Sequence, residues 1–320
     1  MKFLNILKNV FSYKTLQNDE EVRFRLVNGL KISAIPVFTY CVLIIFLWIF
    51  LSMDLVFFKS NGYDNFDRFN EVFSDFIVSK ILEFSLFFIG LFSFNLIFGI
   101  YISELLLRPF RVIGDYCESF IADRSASYDP DFFSDLKLLT RFSEWFFNTI
   151  YIADQNGMLK PIEVPQKFTK IHKPVFETGF FLQFAFLILA TSIVSGLLFY
   201  EVISGVHEQV VQMAFEILPN KYEIQYFLLY QSSVLSNITI GTLVVQIFAY
   251  FLMALNLYKK VSTPAFGIFA TMRSFIKGRY DSRVHLIGYS YLRPQCRKLN
   301  KYLSEMQKSL HKADKNSIQD

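Results

Sequence analysis

With 13 glycines, four histidines and three cysteines among 320 residues, this chain has little from which to build the common catalytic or metal-binding constellations. It contains no Gly-rich phosphate loop and no nucleophile elbow. His172, His207, His285 and His311 are scattered, and none stands in the His-x-x-x-His or Glu-flanked setting of a metal site or a phosphorylated histidine. Cys41, Cys117 and Cys296 offer neither a disulfide framework nor paired metal spacing. The expectation is a non-enzyme with no catalytic residue, no metal and no cofactor. Charge is missing too, in long blocks. Ile32 to Met53, Phe84 to Ser103 and Thr178 to Tyr200 carry none, and neither does Ile224 to Tyr258, whose last 21 to 23 residues are the fourth span.

What fills those blocks is apolar. The chain is 53% hydrophobic, with 39 Phe and 17 Tyr. About 20 apolar residues cross a bilayer core as a helix, so each block is long enough. The first begins past residue 30 without a small-residue cleavage site, which reads as a span and not as a cleaved signal. The fold class that follows is an all-α membrane protein with four transmembrane helices arranged as two hairpins.

Lys and Arg counts set the orientation. Six precede Ile32, nine lie between Glu104 and Glu177, and thirteen follow Tyr258. The segments from Asp54 to Glu83 and from Glu201 to Glu223 carry three and one, against six and four acids. The expectation is an integral protein of the inner (cytoplasmic) membrane with both termini cytoplasmic and two acidic outer loops of about 30 residues each.

The order span, outer loop, span, basic or amphipathic segment occurs twice. A shift of 155 residues lays Arg108-Pro109-Phe110 over Thr263-Pro264-Ala265. Between the halves, "DQNGMLKPIEVPQ" at 154–166 combines an Asn-Gly turn signal with two prolines, and the boundary is placed near Gly157. The reading divides the chain into a cytoplasmic amphipathic N-terminus (1–31), hairpin 1 (32–106), a helix pair (107–153), a linker (154–177), hairpin 2 (178–258), a second helix pair (259–311) and a polar tail (312–320). Phe3, Leu4, Leu7, Val10 and Phe11 share one face of the first of these, suited to the inner leaflet or to the cytoplasmic helices.

After the fourth span, Pro264 suits the first turn of a helix. Ile268, Met272 and Phe275 then recur at four and three residues, with Phe269 and Ile276 beside them, and Gly278 supplies a stop. Further on, Leu292, Cys296, Leu299, Leu303, Met306 and Leu310 alternate spacings of four and three. This is a heptad seam, with Arg293, Arg297, Lys298, Lys301 and Lys308 outside it. So narrow a stripe needs partners: a second copy of the chain, giving a dimer, or intrachain pairing with the first helix pair.

Over residues 259–310 this arrangement resembles a HAMP domain, the signal-relay module found just inside the membrane in many bacterial receptors. Pro264 and Gly278 match the ends of its first helix, Tyr280 and Val284 its connector pattern, and Leu299-Asn300 its second helix. Ser290 and Tyr291 stand where the family has an acidic pair, and Pro294 in the second helix's first turn is a further departure. A degenerate copy at 107–150 keeps Pro109, Ile113, Tyr116, Phe120 and Asp135-Leu136, with Asp123 in place of the glycine. The resemblance implies a HAMP-like cytoplasmic helix pair after each hairpin, and signal relay as the function. Only ten residues, most of them polar, follow Leu310, so a separate cytoplasmic protein would read the output.

The alternative is a membrane scaffold or a transporter or channel subunit with a passive helical tail. Transporters of duplicated design carry charges or broken helices at the midplane. Here Asn95, Gln183, Gln246 and Asn256 read as interhelical hydrogen-bonding groups, Ser192-x-x-x-Gly196 as a close-approach pair, and Pro36 as a first-turn proline. The thirteen basic residues of the tail are explained by topology and anionic headgroups, so no nucleic-acid partner is expected; the bilayer is.

Overall fold

The computed structural model describes residues 18–60, 66–130, 136–155, 161–172, 174, 178–217 and 222–317. Segment 1–17, Asp135, Gly157 and residues 318–320 lie outside this set, as do the side chains of Gln183 and Leu310. Among the described residues there is no strand. The helices are α1 (Glu20–Ser60), α2 (Phe66–Ala122), α3 (Lys137–Gln155), α4 (Gln166–Thr169), α5 (Thr178–Ile217), α6 (Tyr222–Ile276) and α7 (Arg293–Ser317), with a 3-10 turn at Ser290–Leu292 before the last.

Four of these helices are long and apolar enough to cross a membrane: the segments lie at Glu20–Phe57, Ser85–Ala122, Ile188–Gln212 and Tyr226–Ile276. Phe38, Leu86 and Phe186 are each at least 70% exposed, and Trp48 and Val244 more than half. Large apolar side chains turned outward on all four helices suit a lipid solvent and no aqueous one. The protein is an integral membrane protein.

The helices overrun the apolar blocks in both directions, and this corrects several expectations. α1 begins at Asp19, whose side chain accepts hydrogen bonds from the N–H groups of Glu21 (2.9 Å) and Val22 (3.3 Å). That N-cap, followed by Glu20 and Glu21 at the positive end of the helix dipole, starts the helix twelve residues before Ile32. Pro36 therefore sits deep inside α1 and not in a first turn. The acidic segments expected as loops of about 30 residues are largely helical, because α1 runs to Ser60 and α2 starts at Phe66, while α5 runs to Ile217 and α6 starts at Tyr222.

Pro109 and Pro264 do not open helices either; both lie inside α2 and α6. A proline there frees the carbonyl four residues earlier, which for Pro264 is Lys260. The Tyr291 hydroxyl donates to that carbonyl at 2.8 Å. An outside donor at the freed position satisfies that carbonyl, and the helix continues past its proline.

The chain forms two compact units. The apolar unit comprises Gly29–Gly99 and Ala185–Met253. Leu43, Leu47 and Leu51 of α1 pack there with Phe73 and Ile77 of α2, Phe199, Ile203, Val206 and Val210 of α5, and Leu235 of α6. Gly99 meets Gly29 so closely that a Cβ on it would lie 2.8 Å from the Gly29 Cα. Neutral polar groups bond between helices as expected: Gln246 donates to Ser195 (2.8 Å), and the Tyr250 hydroxyl donates to Asn95 (3.4 Å). Gly196 packs under Leu243 and not against a backbone. Asn256 is exposed. Asp54, the acid that follows the first apolar block, is fully buried. The Gln231 amide, which donates to the Phe50 carbonyl at 3.2 Å, faces it without forming a hydrogen bond of normal geometry.

The amphipathic unit comprises Met1–Asn28, Ile100–Phe184 and Ala254–Asp320. It gathers both amphipathic helix pairs and the linker between them.

Candidate functional site

Within the amphipathic unit, four helical segments (residues 100–122 of α2, α3, residues 254–276 of α6, and α7) enclose one aromatic core. Tyr302 of α7 is its centre. The ring has no exposed surface and lies 5.3 Å from Phe120 of α2 and 5.4 Å from Phe147 of α3. Phe147 also packs on Tyr116 at 4.5 Å. On the other side Phe142 of α3 meets Phe269 of α6 edge-on at 4.6 Å, and Phe146 reaches Phe275 at 6.4 Å. Helices from both halves of one chain thus share a single core.

The heptad seam is buried in this core. Leu292, Cys296, Leu299, Leu303 and Met306 are all at most 7% exposed, as are Ile268, Met272, Phe275 and Ile276 of α6. Tyr302 and Gln295 widen the stripe of α7 beyond a two-position seam, so it meets several helices of its own chain. No second copy is needed to cover it. Burial pushes the Cys296 thiol up to about 11.

The second helix pair turns at Gly278. Its φ is +99°, in the left-handed region, and its N–H donates to Phe275 O while Arg279 N–H donates to Ser274 O (3.0 and 3.1 Å). This pair of bonds is a Schellman motif. The connector is then fastened to α7. Asn300 accepts from the Val284 N–H (2.7 Å) and donates to the Val284 carbonyl (3.0 Å), completing both backbone groups of one buried residue. Tyr280 packs edge-on against Phe275 (5.4 Å). Arg283 donates to Ser304 and Gln307 of α7 and to the carbonyls of Tyr280 and Ser282. Tyr291 stacks on Phe24 (4.0 Å) besides capping Lys260. Pro294 falls in the first turn of α7, where its missing N–H costs nothing.

The first helix pair follows another plan. Ile113, Cys117 and Phe120 are buried like Ile268, Met272 and Phe275, their counterparts at the 155-residue shift. In the second helices the match requires 153: Leu139, Ser143, Phe146, Ile150 and Ala153 are buried like Leu292, Cys296, Leu299, Leu303 and Met306. The first connector is therefore two residues longer. Pro109 and Leu136 are buried; Leu136 accepts the Thr140 N–H at 3.0 Å and so starts α3. At Asp123 no residue takes a positive φ; the carboxylate accepts from the Ser125 N–H and hydroxyl, and these bonds hold it below its usual range. Tyr128 then packs on Tyr116 (5.1 Å) and Phe147 (4.8 Å).

The linker is docked. Phe168 of α4 packs on Phe142 (5.0 Å), Ile162 N–H donates to Ile276 O (3.0 Å), and Arg273 donates to the carbonyls of Phe168, Thr169 and Ile171.

Sequence reading also missed an ion-pair network. Arg25 pairs with Glu21 and with Glu104 (2.8 Å), and Arg111 pairs with the same two acids. Arg25 is 8% exposed, so its charge is desolvated and needs both partners. Glu21 and Arg25 stand one helical turn apart, but Glu104 and Arg111 meet them from a distant part of the chain, and spacing carries no signal for that meeting. Gly114 was missed as well. A Cβ there would lie 1.9 Å from Gln295 Oε1, which makes it the close approach between α2 and α7.

No family model matches this chain. No curated protein and no solved structure is significantly similar to it.

Proposed function

We propose that this protein relays a signal across a bacterial inner membrane. Two membrane hairpins, with both termini cytoplasmic, each lead into a HAMP-like helix pair, and the two pairs together form one relay module inside a single chain. The chain performs no catalysis, and a separate cytoplasmic protein reads the module.

The observation that carries this reading is the shared core around Tyr302, into which both pairs contribute, together with the Gly278 turn and the Asn300 clasp on Val284. The glycine stop, buried connector residue and heptad second helix match the resemblance drawn from the sequence. The basic counts of the segments before Ile32, between Glu104 and Glu177, and after Tyr258 support a cytoplasmic side for all three. Relay requires two packings a few kcal/mol apart, biased by the membrane segments.

The test is a pair of spin labels at the exposed positions Arg279 and Lys308, with the distance between them measured in the native chain and in Gly99→Leu, which wedges α1 from α2 in the apolar unit. Relay predicts two distance populations whose ratio changes with the wedge. One distance, identical in both proteins, would leave α7 a passive tail and favour a scaffold or a transporter or channel subunit.

A further inference from the structure

The apolar unit holds a cavity of about 360 Å³ between α1, α2 and α5. Small-molecule sites run from about 300 to 1,000 Å³, so this volume is sufficient for part of a ligand the size of a lipid. Its inner wall is apolar, formed by Tyr40, Phe88 and Leu91. α5 lines the other side, from Leu198 and Phe199 at the apolar end to Glu201 and Gln209 at the rim, with Gly205 between them. Both rim side chains are exposed. A Cβ on Gly205 would touch nothing within 4 Å, so this helix face opens into free space.

Charge distinguishes this cavity from its neighbour. The larger groove of about 540 Å³ between α1 and α6 is lined by apolar and neutral polar residues, Gly241 among them. In the first cavity Glu201 is the one charged residue among the described lining positions, and it is negative. Gln209 adds an amide oxygen two turns further along the same helix. A carboxylate and an amide oxygen suit a donor with several N–H groups, as a primary ammonium has. A quaternary ammonium has none and binds aromatic faces instead, but Tyr40 and Phe88 stack on each other at 4.3 Å. The α5 part of the lining falls within the candidate membrane span Ile188–Gln212, so the hydrophobic occupant at hand is the bilayer's own lipid.

We propose that this cavity binds a lipid with a primary-ammonium headgroup, its chain among Tyr40, Phe88 and Leu91 and its amine on Glu201. The site stands independently of the relay reading; if both hold, the lipid is an input to the relay.

The experiment uses the purified full chain in detergent, offered equal amounts of phosphatidylethanolamine, phosphatidylcholine and phosphatidylglycerol, with retained lipid read by native mass spectrometry. The expected result is about tenfold preference for phosphatidylethanolamine, the size of one charge-assisted hydrogen bond. Glu201→Gln should abolish the preference while lipid is still retained. Gly205→Leu, which fills the cavity, should remove the retained lipid, whereas Gly241→Leu in the neighbouring groove should not. Equal retention of the three lipids by the native chain, preference that survives Glu201→Gln, or identical behaviour of the two glycine variants would each overturn the assignment. Glu201→Gln alters an exposed side chain, so the test survives a Gly205→Leu chain that does not fold.

Discussion

The two amphipathic helix pairs bury equivalent faces but fasten their connectors by different chemistry. In the second pair the chain reverses on a left-handed glycine, and Asn300 clasps both backbone groups of Val284. In the first pair Asp123 bonds Ser125, and no described residue of the connector takes a positive φ, while Tyr128 is held by aromatic contact with Phe147. Phe147 stands where the 153-residue correspondence places Asn300. The second connector is therefore clasped through the backbone of one buried residue, whereas the first is held by the rings around Tyr128 and by Arg124, which pairs with Asp154 of α3 (3.0 Å) and donates to Ser309 of α7 (3.1 Å).

The largest expected effect lies on the aromatic side of this contrast. Phe147→Ala removes a fully buried ring that touches Tyr116, Tyr128, Phe146 and Tyr302, and about 3–5 kcal/mol of stability should be lost in denaturant unfolding. Asn300→Ala should cost less, about 2–3 kcal/mol, because it strands a buried backbone N–H and carbonyl but removes little apolar contact. It should also speed amide hydrogen exchange at Val284 far more than Phe147→Ala does. A reversed order of the two losses breaks the comparison.

At the turns, Gly278→Ala should cost about 1–2 kcal/mol, since alanine resists the left-handed region and its Cβ would approach Pro161 Cγ at 3.1 Å. Asp123→Gly should leave the melting temperature nearly unchanged, as substitutions at most exposed surface positions do. Equal losses at the two sites would mean that the turns are alike after all.

The smallest effect is a pH response at Cys296 of the second pair. The Cys296 thiol is raised by burial from 9.0 to about 11, so the unfolded chain releases its proton first. The folded-state advantage is complete below pH 9, falls as pH rises towards 11, and is absent in Cys296→Ala. Thermal melts of both proteins between pH 8 and 11 would show the native chain losing stability faster.

Four spans were legible from missing charge, and the buried faces of α6 and α7 from spacing, because one stripe of apolar residues marks a helix whatever it packs against. Helix ends were less legible. Pro36, Pro109 and Pro264 read as starts, since a sequence does not reveal a distant donor such as Tyr291 that satisfies a freed carbonyl. The acidic segments read as loops because charge was taken for solvent, and Asp54 shows that an acid can still be enclosed. The buried positions of the two pairs correspond at 155 in their first helices and at 153 in their second, so no single shift aligns both. Tyr302 lies beside a seam that reads as narrow, and its place at the centre of the core carries no mark in the spacing. The meeting of the Glu21–Arg25 pair with Glu104 and Arg111 depends on tertiary geometry.

Because every helix around Tyr302 belongs to one polypeptide, the assembly of that core is unimolecular. Dilution cannot take it apart, and no change in expression level alters its occupancy. Each face is presented once per molecule and the two halves differ, so the core has a defined polarity.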